Sequence, residues 1–204
     1  MGYVGIVDFK SNNSHSVLGV VSSLGMDAKL IASPSEISRA DRLIIPGVGH
    51  IDSIVNEMDE LGLRDSITSF ASSGNFLLGI CLGQHLLGTG SEESSSAKTL
   101  GILDFVVSKL PSNTDAGFRV PHVGWNSIIF DNNHALLNGI PNGSDFYFSH
   151  SYAITTPTLN AMSITEHSIT FTSMAGEDNV FSVQFHPEKS QKVGRKILSN
   201  FCEL

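Results

Sequence analysis

Short apolar runs rich in β-branched residues alternate with segments of helical spacing through the first eighty residues, and this alternation constrains the fold more than any other feature. Val4-Gly5-Ile6-Val7-Asp8 reads as a buried strand, Ser16 to Leu24 as a helix stopped by Gly25, and Ala28 to Ile31 as a second strand. Arg42-Leu43-Ile44-Ile45 is a third strand ended by Pro46. Ile51 to Met58 and Leu63 to Ser72 carry helical spacing, and Asn75 to Ile80 supplies a fourth strand. Strands separated by helices pair in parallel through right-handed crossovers, so an α/β fold with a parallel sheet is expected.

After residue 100 the pattern changes. Leu103 to Val107, Asn126 to Phe130, Asp145 to Phe148, Ala161 to Thr165 and Ile169 to Thr172 are short strands between turn signals such as Asn142-Gly143, which favours antiparallel pairing at one edge of the sheet. Val180 to Phe185 alternates apolar and polar residues as a further strand, and a last helix over about Lys192 to Phe201 packs back on the core. Gly90-Ser91-Glu92-Glu93-Ser94-Ser95-Ser96 is polar and low in complexity, which predicts an exposed, mobile loop. With 204 residues, 41% of them hydrophobic, and neither a composition shift nor an internal repeat, the chain is expected to form one domain spanning residues 1–204.

The fourth predicted strand runs straight into Gly79-Ile80-Cys81-Leu82-Gly83. A cysteine between a buried strand and a helix sits on a sharp turn at the sheet's carboxyl edge, with its sulfur accessible. Unsatisfied N–H groups and the helix dipole favour its thiolate, and Gly79 and Gly83, lacking Cβ atoms, leave room for the turn and for a substrate. Taken alone, such a cysteine reads more readily as a buried structural residue. Near the other end, Pro187 stops the last strand and leaves His186 and Glu188 together at its tip. An imidazole can take a thiol proton and return it to a leaving amine, while a carboxylate on its far nitrogen orients the ring. For acyl transfer, the N–H of Leu82 points toward a developing oxyanion, and Pro46-Gly47-Val48-Gly49 is a second donor loop or an ordinary strand-to-helix turn.

Other classes are disfavoured. A net charge of −8 argues against nucleic acid, whose phosphates are held by clustered Lys and Arg. Cys81 and Cys202 are too few for a disulfide framework and lack metal-site spacing, which fits a reducing cytoplasm. No basic and apolar leader is evident, and no apolar stretch approaches the roughly 20 residues of a membrane span.

Five motifs occur in order: Pro46-Gly47-Val48-Gly49, Gly79-Ile80-Cys81-Leu82-Gly83, His122-Val123-Gly124-Trp125-Asn126, Tyr147-Phe148-Ser149-His150-Ser151-Tyr152 and Phe185-His186-Pro187-Glu188-Lys189-Ser190. From Val4 to Phe201 the chain resembles the class I (triad) glutamine amidotransferases and, within them, the glutaminases of histidine biosynthesis. The resemblance implies a flavodoxin-like three-layer sandwich with a mostly parallel central sheet and antiparallel edge strands. It implies Cys81 as nucleophile with His186 and Glu188, an oxyanion hole from Leu82, Gly47, Val48 and Gly49, and glutamine held by Gly49, Gln84, His85, His150, Ser151 and Tyr152. It further implies no metal or organic cofactor, and ammonia passed within a heterodimer to a (β/α)8-barrel synthase docked near His122, Trp125, Asn126, Tyr147 and Lys189. On residue type alone, Trp125 is expected in the core and Lys189 in solvent.

Three departures stand out. Gln84-His85 replaces the family's Met-Gln, the segment Phe9-Lys10-Ser11-Asn12-Asn13-Ser14-His15 is unlike its glycine-rich first loop, and the arginine common near Lys109 is missing. They keep open a paralogue that serves another barrel synthase, such as one amidating a surface-polysaccharide sugar, and a non-catalytic scaffold. Against the scaffold, a binding module needs no nucleophile with its own base and orienter.

Overall fold

The computed structural model describes residues 2–9, 13–112, 118–131 and 134–204. Its first half is a series of strand–helix units: Tyr3–Val7 (β1), Ser14–Ser23 (α1), Ala28–Ile31 (β2), Pro34–Ile37 (α2), Ala40–Gly47 (β3), Ile51–Glu60 (α3), Arg64–Ser72 (α4), Phe76–Cys81 (β4) and Leu82–Leu87 (α5). The second half is mainly strands: Gly90–Ser91 (β5), Val106–Lys109 (β6), His122–Ser127 (β7), Asp145–His150 (β8), Tyr152–Ala153 (β9), Ala161–Glu166 (β10), Thr170–Glu177 (β11) and Val180–Val183 (β12), closed by the helix Gln191–Glu203 (α6). The main sheet has seven strands in the order β10-β11-β12-β4-β3-β1-β2. Pairing is parallel from β2 across to β12, and antiparallel between β12, β11 and β10 at the edge.

Side-chain alternation along the parallel strands splits the interior into two layers of core. Val4 and Ile6 of β1, Ile44 of β3 and Leu78 and Ile80 of β4 face α1 and α6, where Val17, Val21, Ile197, Leu198 and Phe201 cover them. Leu43 and Ile45 of β3 and Leu77 of β4 face the opposite way, under Ile54, Val55 and Met58 of α3 and Ile67 and Phe70 of α4. The result is the three-layer sandwich expected from the sequence, with a mostly parallel central sheet and antiparallel edge strands. No helix among the described residues is long and apolar enough to cross a membrane.

Several local expectations fail for identifiable reasons. β3 does not end at Pro46 but continues to Gly47, with Pro46 opposite Ile80. Its partners on the β1 side stop at Ile44, so beyond that point β3 is an edge on that side and tolerates a residue without a backbone donor. The polar segment 90–96 is tied into the fold, because its carboxylates accept from backbone N–H groups. Gly90 and Ser91 pair with β6, Glu92 Oε2 accepts from Lys109 N, and Glu93 Oε2 accepts from Ile51 N at the start of α3. Strand β7 begins at His122 and not at Asn126, since its register with β8 sets Trp125 against Tyr147. Antiparallel pairing also extends beyond the sheet edge, in the separate β7–β8 ribbon and the β6–β9 pair.

Candidate active site

β4 passes into α5 without a loop, and Cys81 is the joint, with φ 54° and ψ −106°. A positive φ at a residue with a side chain is strained by roughly 1–3 kcal/mol and persists only where the surroundings impose it. Here three missing side chains do so. A Cβ on Gly47 would lie 2.6 Å from Leu82 Cβ, one on Gly79 would lie 2.6 Å from the Gly83 carbonyl oxygen, and one on Gly83 would run into the Ile45 carbonyl oxygen. The first turn of α5 therefore rests directly on β3 and β4, with the Cys81 sulfur turned into a cavity of about 260 Å³.

His186 enters that cavity from the end of β12. Its backbone is pinned to β8, with its N–H donating to the Tyr147 carbonyl (2.9 Å) and its own carbonyl accepting from Ser190 Oγ (2.6 Å). His186 Nδ1 lies 2.8 Å from Glu188 Oε1, and both side chains are almost wholly buried. With Nδ1 donating to the carboxylate, the other ring nitrogen is left to face Cys81. Burial alone lowers the His186 pKa, but negative charge on the Cys81 sulfur, a hydrogen bond to it and the Glu188 carboxylate together raise it to about 10. Asn13 Nδ2 also donates to Glu188 Oε1, at 2.6 Å, and so holds the carboxylate from the start of α1. Residues Lys10, Ser11 and Asn12 of the unusual first loop lie outside the described residues.

The rest of the cavity wall includes Val48, Gly49, Leu82, His85, Glu93, Ser149, His150, Ser151, Tyr152 and Lys189. Gly49 has φ 102°, open to glycine and rarely to other residues. Gly47 faces the first turn of α5 and does not line the cavity. The two residues of the Gln84-His85 departure separate cleanly. One helical turn from Cys81 brings His85 under the cavity, with Nε2 2.9 Å from Gln184 Oε1. Gln84 points instead at β12, fully buried, and donates to Ser182 Oγ at 3.1 Å. Gln84 thus does not reach the space where a substrate would lie. Burial holds the His85 pKa down at about 4, so its ring is neutral.

The predicted docking residues divide by the two-residue period of β7. Val123 and Trp125 project outward and are 56% and 49% exposed, so Trp125 is not a core residue. Trp125 meets Tyr147 edge to face at 6.0 Å, and Lys189 Nζ lies 5.9 Å from the centre of the Tyr147 ring. His122 faces inward, 4% exposed, and cannot itself present a side chain to a partner. It belongs to a hydrogen-bonded row whose directions are fixed by its ends. His150 Nδ1–H donates to the Tyr152 carbonyl (2.8 Å), leaving Nε2 to accept from His122 Nδ1 (3.0 Å), and His122 Nε2 accepts from Asn126 Nδ2 (3.2 Å). Asn126 and His122 thus brace the cavity wall from behind the outward face.

Asn13, Glu93 and Gln184, which sequence reasoning did not single out, touch the candidate site: Asn13 at Glu188, Glu93 at the cavity wall and Gln184 at Cys81. Glu93 was hidden in a run that reads as a loop, and Asn13 in the unusual segment. Gln184 did leave a signal. Ser182, Gln184 and His186 alternate with apolar residues along the sequence and all are buried, a row of polar residues leading to the histidine.

This architecture, a strained cysteine elbow facing a buried His–carboxylate pair, belongs with a known family. The glutamine amidotransferase class-I model matches residues 5–204, and the chain is a member of that family. Within it, the chain is 38% identical over 202 residues to the imidazole glycerol phosphate synthase subunit HisH of Buchnera aphidicola, covering 99% of this chain and 100% of that protein. It is 40% identical to the subunit of the same name from Moorella thermoacetica, over 98% of this chain and 94% of that one. A solved glutamine amidotransferase has the same fold with a TM-score of 0.77 at 18% identity, covering 99% of this chain and 98% of that one. PurLQS from Thermotoga maritima gives 0.74 at 16% identity, covering 100% and 99%.

Proposed function

We propose that the chain, as one domain over residues 1–204, is the glutaminase subunit of an imidazole glycerol phosphate synthase. The observation that carries the chemistry is the buried His186–Glu188 pair, 2.8 Å apart, opening beside Cys81 into one cavity. In this reading the Cys81 sulfur attacks the side-chain carboxamide carbon of glutamine. The oxyanion that forms is met by the Leu82 N–H and by the loop of Val48 and Gly49. The intermediate collapses as His186 gives its proton to the departing nitrogen, releasing ammonia and leaving a γ-glutamyl thioester on Cys81. His186 then takes a proton from water, whose oxygen attacks the thioester and frees glutamate. Glu188, steadied by Asn13, keeps the imidazole in one tautomer throughout.

The remaining wall suits the amino-acid end of the substrate. Glu93 offers a carboxylate to its ammonium, and the Ser149–Tyr152 segment with Gly49 offers polar groups to its carboxylate. The aromatic and cationic face of Trp125, Tyr147 and Lys189 adjoins the cavity mouth, since Lys189 lines both. That continuity supports docking of a (β/α)8-barrel synthase there, with ammonia entering the barrel without crossing bulk water. Free thiols at Cys81 and Cys202 fit work in the cytoplasm.

The test is glutamine hydrolysis by the chain alone and with the synthase carrying its own substrate. A transition-state donor set correctly only in the complex corresponds to a rise of roughly 10²–10³-fold. Lys189→Ala should weaken this stimulation more than basal turnover. Full activity in isolation, unchanged by the synthase, would refute the reading.

A further inference from the structure

We propose that Gln184 is a positioning residue for the nucleophile, supplying a second donor to the Cys81 sulfur beside His186, and that His85 fixes which end of the Gln184 amide faces that sulfur. The proposal rests on Cys81 as the nucleophile and adds a residue outside the cysteine, histidine and glutamate already described.

Gln184 is fully buried at the polar end of β12, and its backbone N–H donates to the Ser173 carbonyl at 2.9 Å. A buried amide gains by having both ends partnered, since each unpaired end costs its desolvation. Both ends are used here. Gln184 Nε2 lies 3.8 Å from Cys81 Sγ, a hydrogen-bond distance for sulfur, and Oε1 lies 2.9 Å from His85 Nε2. Reversing the amide would set carbonyl lone pairs against the sulfur, which a nucleophilic sulfur disfavours. In the tautomer with hydrogen on Nε2, His85 donates to Oε1 and prevents that reversal. His186 and Gln184 both follow β12, which ends at Val183, and imidazole and amide converge on the Cys81 sulfur. This gives the chain's unusual His85 a use that does not require it to hold substrate.

The charged and titratable groups around Cys81 are His186 and Glu188 after β12, His85 on α5, His150 on β8, and Glu93 and Lys189 at the cavity wall. The test must therefore vary Gln184 and leave these in place. The rate of Cys81 alkylation by iodoacetamide, followed by peptide mass spectrometry across a pH series, reads the sulfur without any need for glutamine. Cys202 is buried, which raises its pKa to about 11 and separates it from the signal. Gln184→Glu keeps the acceptor for His85 but turns a carboxylate to the sulfur, and Gln184→Leu removes both bonds. Each should move the alkylation profile to higher pH and slow alkylation at neutral pH roughly tenfold to a hundredfold. His85→Phe, which only unlocks the amide, should give a smaller shift in the same direction.

Should these variants fold poorly, the unmutated chain answers the question by NMR. The Gln184 side-chain amide protons should titrate together with the Cys81 sulfur, while those of Gln84, bonded to Ser182, should not. An unchanged alkylation profile in folded Gln184→Glu, or a Gln184 amide indifferent to the sulfur's titration, would overturn the proposal. Absence of glutamine turnover with the alkylation shift intact would count against the glutaminase reading alone.

Discussion

Adding one methyl group at Gly47 should disable the site from behind. A Cβ there would lie 2.6 Å from Leu82 Cβ and 2.8 Å from the Gly83 backbone nitrogen, whereas ordinary contact begins at 3.4 Å. The first turn of α5 must then move by about 0.8 Å, because neither obstacle is the tip of a flexible side chain. That turn starts at the residue after Cys81 and carries the Leu82 N–H. A misplacement near 1 Å costs on the order of 10²-fold in rate, and overpacking of this kind costs about 1–3 kcal/mol of stability. Gly47→Ala should therefore lower kcat for glutamine hydrolysis by about two orders of magnitude, with a fall in Tm. Gly19→Ala is the matched control. It sits on the exposed side of α1 with nothing within 4 Å, and should leave turnover unchanged while adding up to about 1 kcal/mol of stability. Steady-state kinetics and thermal melts on the two variants decide the matter, and a Gly47→Ala enzyme with native kcat and Tm would show that α5 is not held by this contact.

Glu188→Gln replaces a carboxylate that accepts from both His186 and Asn13 with an amide that cannot support a charged imidazole, so kcat should fall by roughly 10⁴ with little change in KM, read by steady-state kinetics. Acid should unfold the protein through its buried neutral histidines. Burial lowers the pKa of His85 and of His122 from 6.5 to about 4, and places His150 well below its ordinary value. The unfolded chain therefore binds more protons than the folded one between these values, and stability falls as pH drops from 6.5 toward 4. For His85 alone the loss is roughly 3 kcal/mol, which urea melts across that range should reveal and which His85→Gln should reduce.

The parallel half of the fold was legible because each buried strand there is a continuous apolar run, bounded by helical spacing and by glycine or proline. The antiparallel half was less so. In β7, Gly124 interrupts the pattern, and the register with β8 fixes the strand's start. The positions of Cys81, His186 and Glu188 were legible because the elbow between β4 and α5 and the His-Pro-Glu turn are both local features, although β12 ends at Val183 and not at the proline. Residues that approach from elsewhere in the chain had no such marker. Asn13 reaches Glu188 across 175 positions, and Gln184 reaches Cys81 across 103. Gln84 lies away from the cavity because one position along α5 turns a side chain by about 100°, enough to aim it at Ser182. Trp125 lies outside because the two-residue period of β7 turns it to the outer face of the two-stranded β7–β8 ribbon, where it is 49% exposed.

The central claim, that glutamine is opened by covalent attack from Cys81, is tested most directly by trapping the adduct. The chain in complex with its synthase is treated with a glutamine-derived electrophile, digested and mapped by mass spectrometry. The account predicts one adduct, on the peptide carrying Cys81, formed in step with the loss of glutaminase activity. It also predicts that Cys81→Ala, free of contaminating enzyme, has no glutamine-dependent synthesis while added ammonia still supports the synthase. Continued glutamine hydrolysis by Cys81→Ala, or inactivation with the label on another residue, would contradict it.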